Sequence, residues 1–186
     1  MLHLFTRTSP RKKSAILALL LTLATPIIHA HSRGTQPAST HVQQEVRTYL
    51  RNLGVSPERA NKVRIYRFSG SQKECPFGLT DRDGIWINEK QFPLYPACLC
   101  SFYLAHEAAH YALEHYRSIT RIGQERAADL AAARMLCKYG KRSVVEQYAA
   151  YLKSTVIPQE GSGGRIDSQH PTFGEELACL ERVLAE

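Results

Sequence analysis

The most distinctive pattern in the sequence is His106-Glu107-Ala108-Ala109-His110, in which two histidines enclose a glutamate on an alanine-rich segment. Residues four apart on a helix are separated by about 40° around its axis, so the two imidazoles can approach one point from the same face. Imidazole nitrogens in this arrangement are typical ligands of Zn²⁺. Glu107 lies on an adjacent flank, where it can act as general base on a metal-activated water. The pattern predicts a catalytic site with one Zn²⁺ ion per chain.

Two histidines leave a catalytic zinc short of one protein ligand, and an acidic pair further along the chain supplies candidates. Glu125 and Asp129 lie four residues apart on the next predicted helix. A short connection makes that helix antiparallel to the first, which returns its early turns toward His110. We expect Glu125 to be the third ligand and Asp129 to accept the N–H of a ligating histidine, with the reverse assignment left open. His115 points about 140° away from His110 on a continuous helix. We therefore expect it to be a surface residue or one that supports a ligand, with a ligand role as the weaker alternative.

A further histidine, His170, precedes Pro171 near the predicted start of the final helix. A histidine beside the metal can donate a hydrogen bond to the oxyanion of a tetrahedral intermediate. We therefore count His170 with Glu107 as a candidate catalytic residue. The alternative is that His170 only belongs to the connection into the last helix.

Together these segments resemble the paired HExxH and ExxxD helices of the gluzincin metallopeptidases. The similarity is greatest to the peptidase family that includes the CAAX-prenyl protease and its soluble periplasmic relatives, and it covers roughly residues 99–183. The sequence His170-Pro171-Thr172 is similar to a segment that follows the zinc ligands in that family. The resemblance implies a zincin-like fold in which the two motif histidines and Glu125 bind zinc. It also implies that Glu107 is the general base and that Asp129 supports a ligand.

The elements that must position these residues are predicted from periodicity and from helix-breaking residues. Strands rich in β-branched and aromatic residues are expected at 62–68 and 84–88, with a turn-rich segment between them. Helices are expected at 41–53, 99–116, 122–139, 143–153 and 171–185, with a glycine-rich loop at 158–168. The predicted fold class is α+β, a mainly helical minimal gluzincin domain with a small sheet before the HExxH helix. We expect the strand at 84–88 to be an edge strand that binds extended substrate.

The first thirty residues have the layout of a secretory signal peptide. Basic residues up to Lys13 precede an apolar run at 15–24, and the small residue Ala30 follows Pro26. The apolar run is about half the roughly 20 residues that a membrane-spanning helix needs, so no permanent span is expected. We predict residues 1–30 as signal peptide, 31–40 as a flexible lead-in and 41–186 as a single metallopeptidase-like domain. The product would be exported and periplasmic or secreted.

Export changes the expectation for the five cysteines, because disulfides persist in an oxidising compartment. Two disulfides and one free thiol are the natural count. We expect Cys137 to pair with Cys179, and Cys75 to pair with Cys98 or Cys100.

The charge gives no reason to expect a nucleic-acid partner. The chain carries a net charge of +7, yet four of its 24 basic residues precede residue 14, where no acidic residue lies. Nucleic-acid binding would call for a clustered basic stripe with aromatic residues.

These observations predict an exported zinc-dependent endopeptidase that hydrolyses peptide bonds of envelope or misfolded proteins. Its partners would be protein or peptide substrates, and its oligomeric state is left open. One alternative is a metal-binding chaperone or adaptor that uses the same site without turnover. The other is a latent peptidase, which the resemblance implies because elements like the His170 segment occupy the open metal position in some gluzincins.

Overall fold

The computed structural model describes residues 36–67, 77–117, 122–166 and 169–186. The predicted signal peptide, Cys75 and residues 31–35 of the lead-in lie outside the described residues. In the described part of the chain, no helix combines the length and the apolar character that crossing a membrane requires. In chain order, the helices and strands are α1 (Thr40–Asn52), α2 (Pro57–Lys62), β1 (Ile65–Arg67), β2 (Gly78–Asp81), β3 (Gly84–Ile87), α3 (Ala97–Ala112), α4 (Ile122–Lys138), α5 (Arg142–Tyr151), α6 (Ile157–Glu160) and α7 (Phe173–Ala185). This mainly helical architecture with one small sheet confirms the α+β prediction.

Helix α3 carries the histidine motif and is covered on several faces. Helices α1, α4 and α5 pack against it, and strands β2 and β3 lie on another side. Every residue from Phe102 to His110 is buried. Ala105, Ala108 and Ala109 have no exposed surface, and their small side chains let the neighbouring elements approach closely. The polar side chains of the motif are therefore enclosed by protein rather than by water.

The sheet has the strand order β1-β3-β2, with β1 parallel and β2 antiparallel to β3. The expectation that the strand at 84–88 is an edge strand is therefore wrong, because β3 is the central strand. The two end strands of this order are β1 and β2, and β2 lies in the segment predicted to be turn-rich. With only four residues, β2 owes its extended form to its pairing with β3 rather than to its own composition.

The segment that precedes α1 is hydrogen-bonded to the sheet. Arg67 N donates to Gln36 O at 2.8 Å and Ala38 N donates to Ile65 O at 3.0 Å. Ser39 then caps α1 by accepting from Val42 N. The described end of the predicted flexible lead-in is thus held beside β1, and regular structure starts before residue 40.

Most predicted helices agree with the structure in position, with differences at their ends. Helix α5 continues through a π-helical turn at Leu152–Val156 into α6, so part of the predicted loop at 158–168 is helical. Helix α7 begins at Phe173 rather than at Pro171, because Thr172 and Glu175 form a capping box. The short helix α2, which starts after the capping residue Ser56, was not predicted.

The four described cysteines, Cys98, Cys100, Cys137 and Cys179, are free thiols. The predicted bridge between Cys137 and Cys179 is not formed. Sequence spacing does not set the distance between these two thiols, because Cys137 lies on α4 and Cys179 on α7. Cys179 interacts electrostatically with Asp129 and Arg134 of α4, and it forms no bond with Cys137.

Gly84 at the start of β3 provides a test of the sheet. A Cβ atom there would lie 2.2 Å from Arg64 O, a backbone atom that cannot move without breaking the pairing of β1 with β3. We expect Gly84→Ala to lower the free energy of unfolding by roughly 1–3 kcal/mol, measured by urea unfolding followed by circular dichroism. The matched control is Gly123→Ala on α4, where a Cβ meets nothing within 4 Å. Equal stabilities of the two variants would contradict the tight packing inferred here.

Candidate metal centre

The side chains predicted as metal ligands on α3 and α4 converge at one buried point. His106 Nε2 lies 2.9 Å from His110 Nε2. Glu125 Oε2 lies 3.1 Å from His106 Nε2 and 3.2 Å from His110 Nε2. The two helices run antiparallel, as expected from their short connection, so that Glu125 faces both histidines.

Asp129 lies one helical turn beyond Glu125 and contacts the other side of His106. Its Oδ1 atom is 2.8 Å from His106 Nδ1, and both side chains are buried. A carboxylate here accepts the Nδ1–H proton, which leaves the lone pair of Nε2 directed at His110 and Glu125. Asp129 thus has the contact predicted for a supporting residue, and the reverse assignment of the two carboxylates is not favoured.

His170 joins the same cluster from the connection before α7. Its Nε2 atom is 3.3 Å from Glu125 Oε2. One donor atom each from His106, Glu125 and His170 lie within 4.8 Å of one another, which forms a possible metal-binding group. His170 is half-buried, whereas the other two are buried, so it is the most exposed member of this group.

The start of α7 determines where His170 can lie. The capping box of Thr172 and Glu175 fixes the first turn of the helix, and Glu175 also forms an ion pair with Arg126, the neighbour of Glu125 on α4. The loop that precedes this segment adds two backbone bonds, Phe173 N to Gly164 O and Gly174 N to Ser162 O. Of these contacts, the Arg126–Glu175 ion pair joins the segment to α4 next to Glu125.

Glu107 lies on the flank of α3 that faces β2. Thr80 Oγ1 is 2.8 Å from Glu107 Oε2 and 3.0 Å from the Glu107 backbone oxygen. Gly78 makes this approach possible, since a Cβ atom there would lie 2.6 Å from Trp86 O and 3.3 Å from Glu107 Cγ. Sequence reasoning missed Thr80, because its strand contains a glycine, an aspartate and a single large apolar residue, a composition that is typical of a turn.

His115 contacts the Nδ1 side of the His110 ring, which corrects the expectation that it points away from His110. Its Nδ1 atom is 3.0 Å from His110 Nδ1. The angle of about 140° applies only to a continuous helix. Helix α3 ends at Ala112, and Glu114 adopts a left-handed conformation with φ 58° that turns the chain back.

The charges in this cluster depend on one another. Burial lowers the pKa of His106, but its hydrogen bonds to Asp129 and Glu125 outweigh that effect and hold the pKa well above its usual value. Burial raises the pKa of Glu125, yet the two imidazoles bring it below its usual range. Burial, and then the neighbouring His110, lower the pKa of His115. The raised pKa favours the protonated form of His106, in which Nε2 also carries a hydrogen and faces Glu125.

Another buried carboxyl group interacts electrostatically with Asp129. Glu176 on α7 accepts a hydrogen bond of 2.6 Å from the Tyr148 hydroxyl. Burial and the charge of Asp129 raise the pKa of Glu176 to about 8, which the bond from Tyr148 only partly offsets. At neutral pH Glu176 is therefore mainly protonated, and this keeps a second negative charge away from Asp129.

Imidazole nitrogens and one carboxylate oxygen form a donor set that suits Zn²⁺ and other borderline divalent metals. Comparisons with protein-family models, with curated proteins and with solved structures found no match to this chain. The chemistry of the site is therefore inferred from the contacts of its own residues.

The different contacts of the two carboxylates lead to a prediction about metal content. Glu125→Ala removes a donor atom and should abolish stoichiometric metal binding, whereas Asp129→Ala removes only a supporting contact and should weaken binding about 10–100-fold. Metal content after equilibrium dialysis checks both, and Glu181→Ala on the exposed side of α7 is the control. If Asp129→Ala lost the metal and Glu125→Ala retained it, the assignment would be reversed.

Proposed function

We propose that this protein is a zinc-dependent endopeptidase that is exported and hydrolyses peptide bonds of envelope or misfolded proteins. The observation that carries the proposal is the convergence of His106, His110 and Glu125 at one buried point with Glu107 beside it. The sequence resemblance to gluzincin metallopeptidases supports the same activity. The proposal of export rests on residues 1–30, which lie outside the described residues.

The donor set fits a divalent cation. His106 Nδ1 is engaged by Asp129 and His110 Nδ1 by His115, so in the neutral tautomers both Nε2 lone pairs face the same point. The two Nε2 atoms are 2.9 Å apart, and Glu125 Oε2 lies 3.1 Å from that of His106. Electron-rich atoms crowded together in a buried site require a proton or a cation among them. The side chains at this point are also the types that Zn²⁺ prefers.

Glu107 is suited to move the protons of peptide hydrolysis. When bound, Zn²⁺ supplies the Lewis acidity that activates water for attack on a peptide carbonyl. Glu107 Oε2 accepts a proton from the attacking water and returns it to the leaving amine. The Thr80 hydroxyl, 2.8 Å from the same oxygen, holds the carboxylate in place. His170 can donate to the oxyanion from the mouth of the site.

We place an extended substrate alongside β2 rather than β3. Of the two strands, β2 lies at the end of the described strand order and supplies the Thr80 contact to Glu107. A peptide that runs along Leu79 and Thr80 would bring its carbonyl group next to the general base. This keeps the predicted mode of substrate binding and changes only the strand.

A latent peptidase is the second candidate, and the position of His170 favours it. Its Nε2 atom is 3.3 Å from Glu125 Oε2 and belongs to the possible metal-binding group with His106. A fourth protein ligand would fill the position that a catalytic zinc keeps for water or substrate. The same side chain therefore either assists turnover or prevents it.

Replacing the proposed general base should separate metal binding from hydrolysis. We expect Glu107→Gln to lower kcat for casein or a fluorogenic peptide at least about 100-fold while the protein still binds one zinc ion. Chelation of the wild-type protein should abolish cleavage, and added zinc should restore it. Glu146→Gln on the exposed face of α5 is the matched control. A Glu107→Gln protein with undiminished turnover would refute the assignment of the base.

The two roles of His170 lead to opposite results. If His170 stabilises the oxyanion, His170→Ala should lower kcat about 100-fold with little change in KM, and His170→Gln should retain more activity because it keeps a donor. We expect this result in steady-state peptide cleavage. An increase in kcat for His170→Ala would instead support the latent peptidase.

A further inference from the structure

The turn that follows α3 has an unfavourable backbone conformation. The helix ends at Ala112, and Glu114 two residues later has φ 58°. Among the residues that the structure describes, Glu114 is the one residue other than glycine with positive φ. Glycine adopts this conformation without steric cost. A glutamate at this position therefore indicates that its side chain contributes to the turn.

The Glu114 side chain forms two ion pairs at this turn. Its Oε1 atom is 3.0 Å from Arg59 Nη2 and its Oε2 atom is 3.0 Å from Arg117 Nη1. Arg59 also donates to the Tyr116 hydroxyl at 3.2 Å, and its guanidinium lies over the ring of Tyr111. Arg59 belongs to α2, which makes the short, unpredicted helix a support for the end of α3.

This turn brings His115 into contact with His110. Their Nδ1 atoms are 3.0 Å apart, and the rings meet edge to face with centroids separated by 5.0 Å. Coordination through Nε2 requires the proton of His110 on Nδ1, where it needs an acceptor because the side chain is buried. On His106 the acceptor is the carboxylate of Asp129, and His115 Nδ1 occupies the equivalent position behind His110.

We propose that His115 is a positioning residue that accepts the Nδ1–H proton of His110 and thereby holds its ring and tautomer ready for a metal ion. The inference rests on the proposed metal site but not on peptide hydrolysis.

Metal binding by the full-length protein tests this role directly. The wild type, His115→Ala and His115→Asn are stripped with a chelator, and zinc affinity is measured by competition with a chromophoric chelator. Because the Asn Oδ1 atom can take the place of His Nδ1, His115→Asn should recover most of the affinity that His115→Ala loses. We expect a 10–100-fold loss for His115→Ala, together with an altered absorption spectrum of bound Co²⁺. His41→Ala, which removes an exposed histidine on α1, should match the wild type.

Each outcome of this experiment decides between positioning and packing. A His115→Ala protein with wild-type affinity and an unchanged Co²⁺ spectrum overturns the proposal. Equal losses of affinity and of thermal stability in the alanine and asparagine variants also overturn it, because they indicate a packing role. Failure of the proposed function is recognised separately, as a wild-type protein that binds zinc tightly and cleaves no peptide. A wild type that binds no zinc overturns both proposals.

Discussion

The structure depends on the close approach of electron-rich atoms from two antiparallel helices. The Nε2 atoms of His106 and His110 and the carboxylate of Glu125 lie within 3.2 Å of one another in a buried site. Without positive charge among them, this arrangement would be destabilised by the desolvation and repulsion of its own lone pairs. The raised pKa of His106 indicates that a proton meets this requirement. A metal ion at the proposed site would take the place of this proton, which links the proposed metal binding to pH.

Hydrogen bonds and an ion pair from surrounding side chains hold the cluster in place. These groups come from several parts of the chain, so the site forms only when those parts have folded together. The supporting contacts are Asp129 for His106, His115 for His110, Thr80 for Glu107, and the Arg126–Glu175 ion pair for the connection that carries His170. This distribution explains why a small sheet and a one-and-a-half-turn helix accompany a helical protein: they position groups that the helices alone do not.

The central helices and the convergence of His106, His110 and Glu125 were predictable from the sequence because they follow from local geometry. A spacing of four residues places two side chains on one face, and a short connection makes the next helix antiparallel. The contacts that sequence reasoning missed depend on distant parts of the chain. Thr80 lies on a strand that is stabilised by pairing with β3, and His115 is turned inward at a residue whose ion pair comes from Arg59 on α2. The predicted pairing of Cys137 with Cys179 was wrong for the same reason, because the neighbours of Cys179 depend on how α7 packs on α4.

The donors also differ in how firmly the fold holds them, and this bears on how the site could change state. His106, His110 and Glu125 lie on long helices that pack against each other, and their rings and carboxylate are buried. His170 is half-buried and lies on the connection before α7, where the capping box and one ion pair to α4 determine its position. Exposed ion pairs contribute little stability, so displacing this segment costs less than moving a packed helix. His170 is thus the least firmly held of these side chains, and in the proposed peptidase it is the one that a substrate would displace.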